Sequence, residues 1–366
     1  MQRTWINSAI IAMAALLVIG GLTPAQALDV KVSGQINQMG MWADDGQVDN
    51  FFITDNNNSS TRARITGEEK TGAVKIGFQF EMEALRNASN TLTMDREDDG
   101  TFSWNDRWLN AYIDTKFGKF ELGKGDSAAN ATTEVDLSGT SVINYSDINA
   151  TAGAFVWKNS DGSIFRPSLV SGVLVGEDVD NTRSNFDGTL SRTERFRYNT
   201  PTFAGFTLSG SVANGDAYDA SLWYAAEVYG KLAAAIGYTD TAKRNNHTQL
   251  AGSVSWLLPM GLNFTGAYGM RNLESDEVAP GKEDPTSYYF KVGYKTGIHA
   301  ASVEYGMTED LDTNGDKSSH YGVAYVINPW KPVELYASYR IYSLDVDTID
   351  DPEDIQQVMA GTRIKF

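Results

Sequence analysis

Residues 73–83 of the chain read AVKIGFQFEME and alternate strictly between two kinds of side chain. One face of this stretch carries Val74, Ile76, Phe78, Phe80 and Met82, and the other carries Lys75, Gly77, Gln79, Glu81 and Glu83. A period of two residues is the pattern of a β-strand, because successive side chains of a strand point to opposite sides of its sheet. The stretch therefore predicts a strand with one apolar and one polar face.

The same alternation returns along the whole chain, in segments of about ten residues. Clear examples are residues 286–295, 333–342 and 354–366. We count sixteen such segments, and an even number returns both chain ends to the same side of a closed sheet. Two less regular stretches, 153–158 and 164–175, would raise the count to eighteen. The sequence predicts an all-β fold with sixteen antiparallel strands, with eighteen as the alternative.

The connections between these segments are short and long in turn. Short ones, such as 117–118 and 296–297, take turns with long polar ones, such as 86–105, 126–189 and 272–285. A soluble β-sandwich also has alternating strands, but a transmembrane β-barrel has short periplasmic turns on one rim and longer extracellular loops on the other. The two lengths of connection therefore favour a barrel.

The N-terminal residues have the features of a secretory signal peptide. Arg3 supplies the positive charge, residues 6–18 are mostly apolar, and Ala25 and Ala27 fit the small-x-small cleavage rule. We predict a signal peptide over residues 1–27 and a single barrel domain over residues 28–366. The barrel domain has no apolar run of roughly 18 residues, so no transmembrane helix is predicted.

Composition limits the partners of the chain. The formal net charge is −17, and there is no cysteine. Such an acid excess argues against nucleic acid, because phosphates need a basic stripe. It favours a mild preference for cations, since a field from carboxylates raises the local cation concentration. A closed hydrogen-bonded sheet needs no disulfide.

The polar faces carry the functional prediction. Hydrocarbon cannot satisfy backbone N–H and C=O groups, so only helices or a closed barrel can span it. Charged side chains that point inward are tolerated if the interior holds water, and a sixteen-stranded barrel is wide enough to stay open. The sequence thus predicts an exported barrel of the bacterial outer membrane that passes small hydrophilic solutes and ions. No enzymatic activity, cofactor or metal is expected.

Two alternatives to a general diffusion channel remain open. The first is a substrate-selective channel in which aromatic residues such as Trp157, Trp223 and Tyr229 hold a particular solute. The second is a structural or adhesive barrel whose lumen is plugged by residues 126–189. Single-channel conductance separates the three, because a plugged barrel barely conducts and a selective one is blocked by its substrate.

Several motifs resemble the general-porin family of Gram-negative bacteria. They are Val30–Gly34, Asp106-Arg107-Trp108, Lys116-Phe117-Gly118-Lys119-Phe120-Glu121-Leu122-Gly123-Lys124, the stretch from Arg195 to Phe206, and the terminal Arg363-Ile364-Lys365-Phe366. The resemblance implies a homotrimer of sixteen-stranded barrels in contact with outer-membrane lipid and lipopolysaccharide. It also implies a third loop, here residues 126–189, that folds inward and narrows the channel.

Candidate pore residues follow from the alternation and from this resemblance. Alternation places basic side chains on the inner face at Arg62, Arg64, Lys75, Arg195 and Arg197. In the family, such a cluster faces carboxylates of the inserted loop, and the resemblance points here to Glu134, Asp136 and Asp147. Their transverse field would orient dipolar solutes and set the ion preference.

Arg107 is a further basic candidate for the constriction. Strict alternation groups it with Leu109, Ala111 and Ile113, on the side that faces lipid. It joins the inner cluster only if a β-bulge intervenes or if it lies at the rim.

Two other motifs have ordinary interpretations. Residues 310–316, DLDTNGD, begin like a calcium-binding loop, but position twelve would be Tyr321 instead of glutamate. Ser318-Ser319-His320 contains a possible nucleophile and base, yet nothing in the sequence specifies the third group that a hydrolase needs. A solvated loop and a rim histidine are the favoured interpretations.

Overall fold

The computed structural model describes residues 28–95, 102–171, 173–188, 190–242, 247–273, 281–347 and 350–366. The predicted signal peptide, residues 1–27, lies outside the described residues. No described helix is long and apolar enough to cross a membrane.

Nearly all of the regular structure is β-strand, as the alternating segments predict. The strands are β1 Asp29–Asp44, β2 Asp49–Asp55, β3 Arg62–Thr71, β4 Val74–Arg86, β5 Phe102–Thr115, β6 Gly118–Asp126, β7 Ser168–Val170, β8 Val173–Val175, β9 Arg192–Asn199, β10 Phe206–Ala213, β11 Tyr218–Glu227, β12 Lys231–Asp240, β13 His247–Leu257, β14 Leu262–Leu273, β15 Thr286–Thr296, β16 His299–Glu309, β17 Lys317–Trp330, β18 Val333–Asp345 and β19 Ile355–Lys365. Among the described residues, short helical turns are found at Asn57–Ser59, Ile148–Thr151 and Val179–Thr182.

The sheet closes into a barrel. From β3 to β6 and from β9 to β19 each strand pairs antiparallel with the next, β6 pairs with β9, and β1 closes the ring by pairing with β19. On its edge opposite β19, β1 pairs with two strands. Its first half pairs with β3, and its second half pairs with β2. The result is a closed barrel of sixteen strands with β2 as one extra strand, which confirms the predicted fold. The stretch 164–175 contributes only β7 and β8, which form a separate two-stranded sheet.

Much of the connection from β6 to β9 lies inside the barrel, as predicted for the third loop, whereas most of β7 and β8 is exposed. Inward side chains of the later strands hold it along the inner wall. Ser253 of β13 donates to the carbonyl of Thr132 (2.7 Å), and Gln357 of β19 donates to the carbonyl of Thr151 (2.6 Å). The wall also accepts hydrogen bonds from backbone N–H groups of the loop. For example, the N–H of Ala129 donates to the carboxylate of Asp219 in β11 (2.9 Å).

Inward glycines of the wall make room for this loop. A Cβ atom on Gly237 of β12 would lie 2.8 Å from the Cβ of Ala129, and one on Gly269 of β14 would lie 2.8 Å from the Cβ of Phe186. Gly293 of β15 is similarly close to Ser138. Contacts this short are not tolerated between real side chains, so the glycines fix how closely the loop can approach.

Part of the lumen is apolar, because side chains of the inserted third loop pack there against the wall. Phe155, Trp157 and Phe165 of the third loop are fully buried against residues of the wall such as Met41 and Tyr342. Trp157 is enclosed in this core, so it is not a solute-holding aromatic residue. Alternation identifies the inward face of a strand, but the loop that covers part of that face comes from a distant stretch of sequence.

Candidate functional site

A polar cavity of about 420 Å³ remains between the third loop and the wall formed by β3, β4, β5 and β9. Charged residues line two opposite sides of it. The wall contributes Arg62, Glu83, Arg107 and Arg192, and the loop contributes Glu134, Asp147, Asp180 and Asp187. Asparagines fill much of the remaining lining: Asn57, Asn58, Asn90, Asn130, Asn149 and Asn185. The cavity is therefore lined by groups that replace water contacts for a hydrophilic solute.

Each arginine on the wall side is paired with a carboxylate of the wall itself. Arg107 donates from Nε to Glu81 (2.9 Å) and from Nη1 to Glu83 (2.7 Å). Arg62 lies 3.6 Å from Glu81, and Arg192 lies 3.3 Å from Asp126. The positive charge of this side is therefore largely balanced before any solute enters.

A β-bulge turns Arg107 toward the lumen. Glu81 of β4 pairs with Trp108, whereas the next residue, Met82, pairs with Asp106, so Arg107 is the extra residue of β5. The bulge reverses the alternation of β5 at this point. This is the condition under which the sequence allowed Arg107 an inward position.

The loop carboxylates differ from the wall carboxylates in their pairing. None of Glu134, Asp147, Asp180 and Asp187 forms an ion pair with a described residue. Asp147 accepts a hydrogen bond from the hydroxyl of Tyr145 (3.3 Å), and Asp187 accepts one from the hydroxyl of Thr133 (3.3 Å). The loop side of the cavity thus carries four carboxyl groups that no ion pair with a described residue balances.

The pKa values of these loop carboxyls are raised. Burial raises the pKa of Glu134 well above its usual range, and the nearby Asp187 and Asp147 raise it further. Burial and the charge of Asp147 raise the pKa of Asp187 to about 6, although backbone N–H groups and the Thr133 hydroxyl act in the opposite direction. Burial also raises the pKa of Asp147. Like charges held together disfavour simultaneous ionisation.

Comparison of sequences places the chain in a family. Residues 9–346 match the family model of the Gram-negative porins. The chain belongs to this family. A search of curated protein sequences gave no match.

Solved structures share the fold of this porin at low sequence identity. An anion-selective porin from Comamonas acidovorans is 16% identical with a TM-score of 0.64, and the match covers 93% of this chain and all of that one. The outer membrane channel DcaP of Acinetobacter baumannii is 14% identical with a TM-score of 0.57, over 95% of this chain and all of that one. At these identities the likeness shows the fold.

The family and the barrel together establish the function at the level of the class. The porin is a β-barrel channel of the bacterial outer membrane through which small hydrophilic solutes diffuse passively. Its polar cavity lies where the third loop leaves the wall uncovered.

The structure separates the basic candidates into two groups. Arg62 and Arg107 line the cavity, whereas Arg64, Lys75, Arg195 and Arg197 do not. Arg64 pairs with Glu81, and Lys75 lies 3.4 Å from Glu68 near the short β3–β4 turn. The structure thus divides the sequence-based group between the cavity and other parts of the wall, because alternation gives the face of a side chain but neither its height in the barrel nor its partner.

Arg195 and Arg197 are held within the wall. The side chain of Arg195 is fully buried and donates to Glu121 (2.8 Å) and to the carbonyl of Gly123 (2.7 Å). Arg197 donates to Asn199 (2.9 Å) and to the carbonyl of Ser127 (2.9 Å). Both arginines therefore fix the start of the third loop relative to β9.

Two of the three acidic candidates, Glu134 and Asp147, line the cavity, and Asp136 does not. Asp136 instead accepts a hydrogen bond from Lys291 of β15 at 2.7 Å. This corrects the grouping of the three acids, because residues two apart in an irregular loop need not share a side. Arg192, Asp180 and Asp187 also line the cavity and were not predicted from the sequence. The concentration of charged residues near both ends of the loop could have indicated them.

The remaining motifs lie away from the cavity. His320 is fully buried between the wall and the loop, where its ring contacts Arg183 and lies 3.7 Å from Glu304. This corrects its interpretation as a rim histidine. Within 310–316, Asp316 pairs with Arg166 of the third loop. Among the described residues, no group of three or more acidic or histidine side chains is arranged to hold a metal.

Proposed function

We propose that the polar cavity is the constriction of the pore and that it makes the channel prefer cations. Arg62, Arg107 and Arg192 form its wall side, and Glu134, Asp147, Asp180 and Asp187 form its loop side. The observation that carries the proposal is the difference in pairing between the two sides. The arginines are paired with wall carboxylates, and the loop carboxylates lack cationic partners.

This imbalance decides the sign of the field that an ion meets. A carboxylate already paired with an arginine contributes little net field at a distance, whereas an unpaired carboxylate in a narrow polar channel attracts cations. The loop side has four carboxyl groups without an ion pair to a described residue, and those that are ionised supply this attraction. The Comamonas acidovorans porin is described as anion-selective, so selectivity here depends on this chain's own cavity residues.

Reversal potentials in a planar bilayer with a salt gradient test the preference. We expect the native porin to be more permeable to potassium than to chloride. The combined change Glu134→Gln, Asp147→Asn and Asp187→Asn is expected to reduce this permeability ratio severalfold. Asp350→Asn, in an exposed outer loop, is the matched control and should leave the ratio unchanged. Anion preference of the native porin, or no effect of the triple change, would refute the proposal.

A dipolar solute would cross this cavity in a defined orientation. The unpaired loop carboxylates attract the cationic end of such a solute, so its anionic end points toward the arginine side. Zwitterions of small size are therefore favoured over neutral solutes of equal size. Liposome-swelling rates for a zwitterion and a neutral solute of the same volume measure this preference. Equal rates would show that the transverse field has no role in permeation.

We further propose that the porin has no catalytic activity and assembles as a homotrimer in outer-membrane lipid and lipopolysaccharide. The buried position of His320 supports the first point, since a substrate cannot reach its ring. The family likeness supports the second. Native mass spectrometry in detergent tests the assembly, and a monomer mass would contradict it.

A further inference from the structure

A short turn between β2 and β3 leaves the sheet and enters the polar cavity. On β1, Gln35 pairs with Arg62 of β3, and Gln38 pairs with Asp55 of β2. The two residues of β1 between these pairs therefore face the six residues 56–61, and the sheet has no place for most of them. We call residues 56–61 the inward turn.

The wall holds the inward turn in place. The carbonyl of Ser59 accepts a hydrogen bond from the side-chain amide of Gln35 (2.8 Å). Asn56 is fully buried, and its amide donates to the hydroxyl of Tyr336 (3.0 Å). The turn is therefore a fixed part of the cavity lining.

The inward turn lies between the two charged sides of the cavity. On the wall side, the hydroxyl of Ser60 donates to Glu83 (2.8 Å). Toward the loop side, the N–H of Asn57 donates to the hydroxyl of Ser89 (3.1 Å), which itself donates to the carbonyl of Ala150 in the third loop (2.5 Å). A solute that spans the cavity from one charged side to the other therefore passes this turn.

Amide groups at this end of the cavity have no hydrogen-bond partner. Both Oδ1 and Nδ2 of Asn58, and Oδ1 of Asn90, are almost inaccessible to solvent, yet they form no hydrogen bond with a described residue. Both residues line the cavity, and they lie near each other because their chain neighbours Asn57 and Ser89 are hydrogen-bonded. Native proteins pair nearly all of their buried polar groups, so these amides indicate a site that a solute completes.

A short peptide has a complementary group for each part of this cavity. The carbonyl of a peptide bond can accept from Nδ2 of Asn58, and its N–H can donate to Oδ1 of Asn58 or Asn90. The loop carboxylates attract the ammonium end of the peptide, and the carboxylate end then faces the wall arginines. A sugar offers hydroxyl groups to the asparagines but has no charge for either side.

We propose that Asn58 and Asn90 form a subsite that hydrogen-bonds the peptide bond of a small zwitterionic peptide as it crosses the cavity. The inference rests on the pore constriction proposed above, and it adds a class of solute and the residues that recognise it. A site with unpaired amides discriminates against a solute that lacks the matching groups, because those amides then stay unpaired.

Two solutes of equal length test the subsite on the native porin. Glycylglycine and 5-aminopentanoic acid carry the same charged ends at the same number of backbone atoms, and only glycylglycine has an amide between them. The measurement is the interruption of single-channel current in a planar bilayer as each solute is added. We expect half-maximal interruption by glycylglycine at a concentration roughly tenfold lower, because it gains two hydrogen bonds. Equal concentrations, or no interruption by either solute, would overturn the proposal.

A variant without the amide tests the residue itself. Asn58→Leu keeps a side chain of similar shape and removes both hydrogen-bonding groups. It should abolish the difference between the two solutes and leave the reversal potential unchanged, because no charge is altered. Asn314→Leu, in the exposed β16–β17 loop, is the matched control and should retain the difference. A native response of Asn58→Leu to glycylglycine would contradict the proposal, and the native comparison remains decisive if this variant folds poorly.

The outcomes separate this inference from the proposed function. Anion preference of the native porin with the solute difference intact would refute the cation preference alone. Cation preference without a solute difference would refute the amide subsite alone. Interruption by glucose at the same concentration as glycylglycine, lost in Asn58→Leu, would show a subsite for hydroxyl groups and overturn the peptide as its ligand.

Discussion

Lys291 of β15 and Asp136 of the third loop form an ion pair at 2.7 Å, and both side chains are almost completely buried, at 0% and 4% exposure. The ammonium of Lys291 also donates to the carbonyl of Asn144 in the same loop. The pair joins the loop to the wall on the side away from the cavity. It therefore helps to fix the width of the opening although it does not line it.

Removal of one partner of this pair is expected to loosen the loop. Lys291→Met leaves the Asp136 carboxylate buried without a cationic partner, a change that typically costs about 3–5 kcal/mol. We expect a lower melting temperature and noisier, larger single-channel currents. Lys291→Met combined with Asp136→Leu leaves no orphaned charge and should recover much of the stability. Native-like melting of the single variant would show that the pair does not hold the loop.

The inward glycines predict a steric effect on the same loop. Gly237→Val would force side-chain atoms against Ala129 and Thr132, and overpacking of this kind costs about 1–3 kcal/mol. The variant should melt at a lower temperature and show an altered conductance. Gly266→Ala on the outer face of β14, where the nearest atom would be 3.7 Å away, is the matched control. Equal behaviour of the two variants would contradict the close approach of loop and wall.

Arg107 is expected to restrain the cation preference. Arg107→Gln removes the cationic partner of Glu83 and one of the cationic partners of Glu81, so the wall side of the cavity becomes more negative. The permeability ratio of potassium to chloride should rise, together with the conductance in potassium chloride. Arg64→Gln, which affects the same Glu81 but lies outside the cavity, should have a smaller effect. Equal effects of the two changes would place the selective region elsewhere.

The cation preference is expected to depend on pH. The pKa of Asp187 is raised to about 6, and the pKa values of Glu134 and Asp147 are raised as well. These groups lose their charge as the pH falls through their raised pKa values, and a group is about 90% protonated one unit below its pKa. The permeability ratio should therefore fall from pH 7 to pH 5. Reversal potentials measured across this range provide the test.

The raised pKa values of these loop carboxyls also make the stability of the folded protein depend on pH. A carboxyl whose pKa is higher in the folded state than in the unfolded state binds its proton more tightly when folded. Its contribution to the free energy of unfolding is therefore greatest at acidic pH and is lost as the pH rises through the folded value. Asp187→Asn should reduce this pH dependence in thermal melts between pH 4 and pH 7. An unchanged profile would show that Asp187 titrates normally.

The sequence by itself determined the architecture of this porin. Period-two alternation, as in residues 73–83, assigned the inner and outer faces of the strands, and the turn lengths ordered the two rims. These are local properties, because each strand needs only its own residues to show which side meets lipid. The same reasoning placed Arg62 correctly on the inner face, and it stated the condition for Arg107.

The tertiary structure alone decided which inward residues share the cavity. Arg64 and Arg195 point inward like Arg62, yet Glu81 and Glu121 engage them outside the cavity. Asp187 comes from the far end of a loop without a regular period, and it reaches Glu134 only because wall side chains and glycines fix the path of that loop. Such contacts depend on side chains far apart in the chain, so no local pattern could specify them.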